Sequence, residues 1–407
     1  MGMKKYKLGE IAYFVEEKIS SDELTLNEYI TTDCLLQNKK GRTIATNLPP
    51  KSCSLTKFKK GDVLIGNIRP YLKKIWFAES AGGCSLDVLV LRAKKMEEAT
   101  FLYSLLLQDD FFDFVMKAPK GSKMPRGDKN HILTYPCFDI QNKIEVGNFF
   151  SNIDKKIALN KKINAKLEAM VKRLYDYWFV QFDFPNGDGK PYKTNGGKMV
   201  WNEVLKREIP EGWEVKKLGE VVELLKDGTH NPPSRVENGI ALLTGTMFGE
   251  NFLDYTKATY IAKEDYFIIH SKYEPLENDI IITKIGTLGN INILRDTDIP
   301  IAIHCNSALL RFQNTFGFYY PFFFCKSALF QLRLKSVKGQ SIQEFASLDK
   351  IASILCEIPK DEILISFNKT VKPIMKQMIR ISKEIQKLTD LRDRLLPLLM
   401  NGQVEVK

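Results

Sequence analysis

The sequence is poor in residues that bind metals or form disulfide bridges. Its only histidines are His131, His230, His270 and His304, with no His-x-x-x-His spacing, so we expect no metal site. The seven cysteines occur singly, which predicts buried thiols in a reducing compartment. No apolar run approaches the roughly 20 residues of a membrane span, and the N-terminus lacks a signal peptide's apolar core. We therefore expect a cytoplasmic protein without membrane contact.

Signatures of catalysis are also missing. The sequence has no Gly-x-Ser-x-Gly elbow, and Gly197-Lys198 is followed by Met199 where a phosphate loop needs Ser or Thr. Asn231-Pro232-Pro233 resembles the target-base motif of amino-methyltransferases, but Ser234 replaces the stacking aromatic residue. We therefore expect a chain that is not an enzyme and binds no cofactor.

The charge favours a polyanionic partner and is unevenly distributed. The 407 residues include 60 Lys and Arg against 49 Asp and Glu, a net charge of +11. Residues 1–150 carry 23 basic and 18 acidic side chains, net +5, whereas residues 207–360 carry 17 and 19, net −2. An anion site in the second stretch must therefore be a local patch.

A long internal repeat organises the chain. Leu8-Gly9-Glu10 recurs as Leu218-Gly219-Glu220, and Gly61-Asp62-Val63-Leu64-Ile65 is echoed by Asn278-Asp279-Ile280-Ile281-Ile282. Leu91-Arg92 returns as Leu310-Arg311. Offsets of 210 to 219 residues in the same order indicate two tandem copies of a whole module rather than a solenoid.

Each copy has short β-branched runs bounded by turn residues, followed by a long segment of heptad spacing. We predict an α+β fold with mixed domains at 1–138 and 209–360, helical spacers at 139–184 and 361–402, and a loop linker at 185–208. The two helices are expected to pack as an antiparallel coiled coil about a pseudo-two-fold axis. The predicted seam comprises Ile153, Ile157, Asn160, Asn164, Leu167, Val171 and Leu174 with Ile374, Met378, Ile381, Ile385, Leu388 and Leu395.

Several stretches resemble specificity subunits of type I restriction-modification systems over the whole chain. They include Gly61 to Leu72, Asp227-Gly228-Thr229-His230, the stretch from Ile209 to Glu214, Trp178 to Phe182, and Leu395 to Gly402. The helix entries depart from the family pattern, since Pro136-Cys137-Phe138 keeps one proline and Pro359-Lys360-Asp361 lacks the glutamine. This departure leaves the helix boundaries open.

The resemblance implies two target-recognition domains that each read half of an asymmetric bipartite site in double-stranded DNA. Two methyltransferase subunits would bind along the helices, with restriction-translocase subunits as an optional addition. S-adenosylmethionine would belong to the methyltransferase subunits, and ATP with Mg²⁺ to the restriction subunits. The alternatives are a DNA adenine methyltransferase or nuclease acting alone, and a scaffold subunit that reads no sequence.

Basic loops supply the candidate DNA contacts. Lysines should mainly bind phosphates, whereas an arginine can also form paired hydrogen bonds with guanine. The first-domain candidates are Arg69, Lys73, Lys74, Lys120, Lys123 and Arg126. The second-domain candidates are Lys226, Thr229, His230, Arg235, Lys284, Thr287, Lys335, Lys338 and Gln340.

Overall fold

The computed structural model describes residues 5–119, 124–249, 252–337 and 345–404. The chain divides into two compact units, residues 1–161 with 383–407, and residues 162–382. Each unit therefore contains one mixed domain together with part of both long helices. Over the described residues, no helix is both long enough and apolar enough to cross a membrane.

Over its described residues, the first domain contains two four-stranded sheets, one two-stranded sheet and four short α-helices. Its strands are β1 (Lys5–Lys7), β2 (Ala12–Phe14), β3 (Lys18–Ser20), β4 (Tyr29–Ile30), β5 (Ser54–Phe58), β6 (Val63–Gly66), β7 (Ile75–Phe77), β8 (Gly82–Cys84), β9 (Val88–Ala93) and β10 (Pro136–Phe138). Its helices are α1 (Leu8–Ile11), α2 (Ala99–Leu106), α3 (Asp109–Val115) and α4 (Lys129–Leu133). The strand orders are β2-β9-β6-β7 and β3-β5-β8-β4, while β1 pairs with β10.

The central strand β6 is buried on both faces, which explains its unbroken apolar sequence. Val63 and Ile65 pack in the core that contains α2 and α3. Leu64 points to the opposite face and joins Trp76 and Val90 in a second core. The alternation follows from the two-residue period of a strand.

A long helix and a hairpin follow the first domain. Helix α5 (Lys143–Tyr175) continues into a π-helical turn at Asp176–Val180, and β11 (Met199–Asn202) pairs with β12 (Arg207–Pro210). The predicted linker at 185–208 is therefore more ordered than a loop. Asp183 anchors it by accepting hydrogen bonds from the Thr194 N–H and hydroxyl, both at 2.7 Å. Its glycines and prolines obscured the strand pattern of Met199–Asn202.

The second domain repeats the first with a smaller second sheet. Its strands are β13 (Glu214–Lys217), β14 (Val222–Asp227), β15 (Ile240–Leu243), β16 (Thr259–Ile261), β17 (Ile280–Thr283), β18 (Ile291–Ile293), β19 (Ile301–Ile303), β20 (Ser307–Phe312) and β21 (Leu355–Ile358). Its helices are α6 (Leu218–Val221), α7 (Lys263–Ile269), α8 (Tyr319–Lys326), α9 (Ala328–Ser336) and α10 (Leu348–Ala352). The order β14-β20-β17-β18 matches β2-β9-β6-β7, whereas the other sheet, β16-β15-β19, has three strands.

An ion pair at equivalent positions links the two inner strands of the four-stranded sheet in each domain. Arg92 donates to the two carboxylate oxygens of Asp62 at 2.7 and 2.8 Å. Arg311 donates to both oxygens of Asp279 at 2.8 and 2.7 Å. These four residues belong to the repeated sequence motifs, so the duplication is retained down to side-chain geometry. The predicted α+β class with tandem mixed domains is confirmed.

Helix α11 (Asp361–Met400) closes the chain, and it runs antiparallel to α5 within each unit. In the first unit, Arg392 donates to Asp154 at 2.9 Å and Lys156 pairs with Glu384 at 3.4 Å. In the second unit, the Asn164 amide donates to the Ser382 hydroxyl at 2.9 Å.

The residues of the predicted helix seam are buried or half-buried, without exception. Apart from Asn160, Asn164 and Ile381, they contribute to two hydrophobic cores, one in each unit, together with side chains of the mixed domains. Ile153 and Ile157 belong to the core of the first unit, while Val171 and Met378 belong to that of the second. Coiled-coil packing in the strict knobs-into-holes sense stays a prediction.

The expectation of buried thiols is correct for only part of the set. Cys34, Cys84, Cys137, Cys325 and Cys356 are buried. Cys305 is half-buried, because it lies in a turn, and Cys53 is exposed in the loop before β5.

Candidate nucleic-acid interface

The candidate loops of each domain converge on one end of its four-stranded sheet. In the first domain, Gly66 at the end of β6 pairs with Val88 at the start of β9. In the second domain, Thr283 at the end of β17 pairs with Ser307 at the start of β20. The strand register therefore places the loops that follow β6 and β17 at corresponding ends of the two sheets.

Two strained turns meet at this end of the first domain. Asn38, Lys39, Arg69 and Lys73 have φ angles of 55°, 60°, 52° and 50°. The N–H of Lys39 donates to the carbonyl of Lys73 at 2.9 Å, and the N–H of Asn38 to that of Leu72 at 2.9 Å. Because left-handed conformations cost about 1–2 kcal/mol for such residues, the surroundings must hold these turns. Strain of this kind tends to collect at functional sites.

Two lysines share one carboxylate beside these turns. The ammonium groups of Lys39 and Lys73 lie 2.8 and 2.7 Å from Oδ1 of Asp109. Burial alone would raise the pKa of Asp109, but the two ammonium groups outweigh it and hold the pKa below its usual value. Two positive charges on one negative charge leave a net positive cluster that can attract phosphate.

Arg69 and Arg126 are the exposed guanidinium groups of this end. The backbone N–H of Arg69 donates to the carbonyl of Pro125 at 2.9 Å, which joins the two loops. Arg126 pairs with Asp87 at 2.9 Å while about half of its side chain stays exposed. Arg69 is exposed at the mouth of the strained turn, so its side chain is available to a base edge or a phosphate.

Lys74 has a different role from its neighbours. Its ammonium group donates to the backbone carbonyl of Thr32 at 2.5 Å, and it is half-buried. The side chain therefore braces the loop and is less available to DNA than the sequence suggested. The predicted contacts Lys120, Lys123, Lys338 and Gln340 lie outside the described residues.

The second domain holds its central cation in the interior. The Lys284 side chain is 5% exposed, and its ammonium group lies 2.9 Å from Oδ2 of Asp227. The His230 ring bonds to the same oxygen at 3.1 Å. Burial would raise the pKa of Asp227, but Lys284 and then His230 outweigh it and lower the pKa. Lys284, predicted as a DNA contact, is thus buried and holds Asp227, which in turn bonds His230.

The other described candidates of the second domain are less buried than Lys284. Lys226, Arg235, Thr287 and Lys335 are exposed. The Thr229 hydroxyl donates to the carbonyl of Asn231 at 3.0 Å and so fixes the loop. Burial, followed by the charges of His230 and Arg235, lowers the pKa of His304. Lys226, Arg235 and Lys335 are therefore the exposed cations among these candidates.

The side chains that could hold a metal ion are those of His, Cys, Asp and Glu. Across the described ranges, no cluster of three or more His, Cys, Asp or Glu side chains could hold a metal ion. The Cys305 sulfur lies 3.6 Å from Nδ1 of His304, but a thiol and a ring supply only two of the four protein ligands of a structural zinc site.

The acidic and backbone partners of these cations were not predicted from the sequence. Asp109 and Asp87 lie 70 and 39 residues from Lys39 and Arg126 respectively, so no local pattern links them. Lys39 itself had a usable signal, because Asn38-Lys39-Lys40-Gly41 combines turn residues with two charges. Asp87 also has a counterpart in the repeat, because Asn306 stands 219 residues later.

Comparison with known proteins agrees with this architecture. Residues 210–391 match the sequence profile of the family described as "Type I restriction modification DNA specificity domain". The MjaIX specificity subunit of Methanocaldococcus jannaschii, a type I restriction enzyme component, is 25% identical over 100% of this chain and 89% of its own length. The HindI specificity subunit of Haemophilus influenzae is 23% identical, over 98% of this chain and 99% of its own length.

A solved structure supports the fold independently. The S subunit of a type I restriction-modification system from M. genitalium aligns with a TM-score of 0.60 and 17% identity, over 100% of this chain and 97% of that chain. The duplicated domains and the long helices agree with these comparisons: over its whole length, the chain is similar to specificity subunits of type I restriction-modification systems.

Proposed function

We propose that this chain is the DNA sequence-specificity subunit of a type I restriction-modification complex. The observation that carries the proposal is the duplicated sheet end, where each domain gathers loops with cations on a common scaffold. The similarity to this family indicates DNA as the ligand, because the matching profile is that of a DNA specificity domain. The net positive cluster at Lys39, Lys73 and Asp109 supports phosphate binding in the first domain.

Each domain reads its own half of a bipartite site. The two sheets share strand order and ion pair, but the side chains at their ends differ: Arg69 and Arg126 in one, His230 and Arg235 in the other. Base edges are distinguished by the hydrogen-bonding pattern that each side chain offers. Two unlike sets of side chains therefore favour two unlike half-sites, and the full site is asymmetric.

The chemistry is carried out by partner subunits. Two methyltransferase subunits bind along the long helices and transfer methyl groups from S-adenosylmethionine to an adenine in each half-site. Helix α5 offers exposed apolar side chains for this contact, including Leu159 and Met170. Restriction-translocase subunits with ATP and Mg²⁺ are an optional addition, and the cytoplasm is the expected compartment.

Methylome sequencing tests the proposal directly. The chain is co-expressed with the methyltransferase subunit in cells that lack other adenine methylation. We expect one asymmetric bipartite motif with one modified adenine in each half. Adenine methylation without sequence preference would instead favour a scaffold that reads no sequence.

A reaction with the purified chain separates the enzyme alternative. Chain and S-adenosylmethionine are incubated with genomic DNA from the same cells, with the reconstituted complex as the positive control. Methyl transfer is expected only in the complex. Transfer by the chain alone would make it an enzyme and contradict the proposal.

A further inference from the structure

We infer that a short turn before the last strand of each four-stranded sheet is a base-reading element, and that Leu86 at its tip contacts the methyl group of a thymine. The inference rests on the proposed function, because it assigns a specificity contact within the same DNA interface. The first-domain turn spans residues 85–88, and its counterpart spans residues 304–307. Neither was among the residues predicted from sequence.

Three backbone hydrogen bonds recur in the two turns. Each turn is closed by its own bond, from the N–H of Val88 to the carbonyl of Ser85 at 3.0 Å, and from Ser307 to His304 at 2.9 Å. The carbonyl of Asp87 accepts from the N–H of Asn67 at 2.8 Å. The carbonyl of Asn306 accepts from Lys284 at the same distance.

The third bond fastens each turn to the second sheet of its domain. Ser85 donates to the carbonyl of Ile30 at 2.9 Å, and His304 donates to that of Leu243 at 3.2 Å. Each turn is therefore held by the loop after the central strand on one side and by the second sheet on the other. A tip held in this way loses little freedom on binding, which is the requirement for a specific contact.

Leu86 is the tip residue of the first turn. It is 74% exposed, the highest value among the large apolar side chains of the described residues. A single exposed leucine is ordinary by itself, so its surroundings carry the inference. The next residue, Asp87, holds the half-exposed guanidinium of Arg126 at 2.9 Å, and the neighbouring loop carries Arg69. Leu86 is thus an apolar group on a firm turn within a cationic surface.

A cleft beside Leu86 offers room for the sugar-phosphate backbone. It has a volume of about 360 Å³, and its lining includes Lys18, Lys129, Glu16 and Phe14 together with Leu86, so two cations face one carboxylate. The Lys129 ammonium group lies 5.5 Å from the centre of the Phe14 ring. Cations that bind phosphate beside an apolar tip would bring that tip to the base edges.

The chemistry of an aliphatic side chain selects its target. Among the groups in the major groove, the C5 methyl of thymine is the apolar one. Leu86 therefore fits a thymine in the first half-site. In the second domain the tip carries Cys305 and Asn306, which offer polar groups, so the equivalent turn reads a hydrogen-bonding pattern.

Deoxyuridine, which is thymine without the methyl group, provides the test. The complex of the full chain with its methyltransferase subunits is assayed on duplexes of its own motif, with each thymine of either strand replaced in turn. We expect one replacement in one half-site to weaken wild-type binding about fourfold, the contribution of one buried methyl-sized group. The variant Leu86→Ala should bind thymine and deoxyuridine duplexes equally at that position.

Two further variants make the result specific. Met96→Ala removes another exposed apolar side chain, at the opposite end of the first-domain sheet, and should keep the full deoxyuridine effect. Asn306→Ala should change discrimination only in the other half-site. Near-ultraviolet circular dichroism checks that each variant keeps its tertiary packing.

The outcomes separate the two proposals. A wild-type complex that binds its motif but responds to no deoxyuridine replacement, or a Leu86→Ala complex that keeps the response, overturns the inference and leaves the proposed function standing. The same holds if the half-site changed by Leu86→Ala contains no A·T pair. A wild-type complex that binds unrelated duplexes equally well overturns the proposed function itself.

Discussion

Asn67 in the first domain and Lys284 in the second occupy the same place after the central strand. The N–H of each donates to the facing turn at 2.8 Å, but their side chains create different surroundings. Lys284 extends inward to Asp227, whereas in the first domain Arg69 is exposed and the Lys73 side chain is about one-quarter exposed. In the proposed interface, the backbones of the two domains match, while their side chains present positive charge differently.

The same division explains the charge balance of the two halves. The first 150 residues have a net charge of +5 and the stretch 207–360 a net charge of −2. The net positive cluster of Lys39, Lys73 and Asp109 in the first domain attracts phosphate. In the second domain, the buried Lys284 with Asp227 and His230 forms a site where binding depends more on the orientation of the ligand. Binding to the second half-site should therefore depend more on geometry, and binding to the first half-site more on the salt concentration.

The largest expected effect concerns the ion pair that the domains share. Asp62→Ala leaves Arg92, whose side chain is 9% exposed, with Glu17 as an outlying partner. We expect the free energy of unfolding of the first domain to fall by about 3–5 kcal/mol. Asp279→Ala should cost less, because the Arg311 side chain is 25% exposed and can reach water.

Peptide-resolved hydrogen exchange on the full chain measures both variants. Faster exchange is expected in β6 and β9 for Asp62→Ala, and in β17 and β20 for Asp279→Ala. Equal losses in the two variants would contradict the difference in burial on which this prediction rests.

Acid should destabilise the second domain through His270. Burial lowers the pKa of His270 to about 4, and its Nε2 accepts the N–H of Ile303 at 3.3 Å. Because the unfolded chain binds this proton near pH 6.5, stability falls as the pH drops from about 6.5 to 4, by about 3 kcal/mol in total. Urea unfolding at several pH values measures the slope.

A matched variant isolates the histidine. His270→Gln keeps an acceptor for the Ile303 N–H but does not titrate, so the acid-dependent loss should shrink. An unchanged pH slope in this variant would show that other groups cause the loss.

Arg69→Ala tests the outward chemistry of the first domain. We expect either relaxed recognition at one base pair of one half-site or binding weakened by about 1–3 kcal/mol. Methylome sequencing and competition binding measure the two outcomes. Lys95→Ala, which removes a positive charge at the opposite end of the same sheet, is the control. A motif and an affinity unchanged by Arg69→Ala would remove this residue from the interface.

The smallest effects should separate Lys284 from Lys73. Lys284→Met leaves Asp227 without its ammonium partner, which raises the pKa of Asp227 and costs about 1 kcal/mol of stability, because the carboxylate is partly exposed. Lys73→Met leaves Lys39 on Asp109, so stability should hold while the salt slope of binding falls by about one. If both variants lower the salt slope equally, Lys284 contacts phosphate as well.

The repeat predicted much of the fold, because its motifs mark equivalent positions in the two domains. The repeated motifs contain Asp62 and Arg92 and their copies Asp279 and Arg311. Only the fold shows that they are partners. The burial of Lys284 could not be predicted, since it depends on Asp227, 57 residues away. The hairpin of β11 and β12 was not predicted, because turn residues surround its short strands.

The division of each long helix between two compact units has a consequence for synthesis. The core of the first unit includes Leu396, Leu399 and Met400 beside side chains of the first domain. A ribosome that has completed the first domain still needs roughly 10–50 s to deliver those residues at ordinary elongation rates. During that interval the oldest part of the chain lacks its last packing partners. A stop codon in the final helix would therefore harm the domain that was made first.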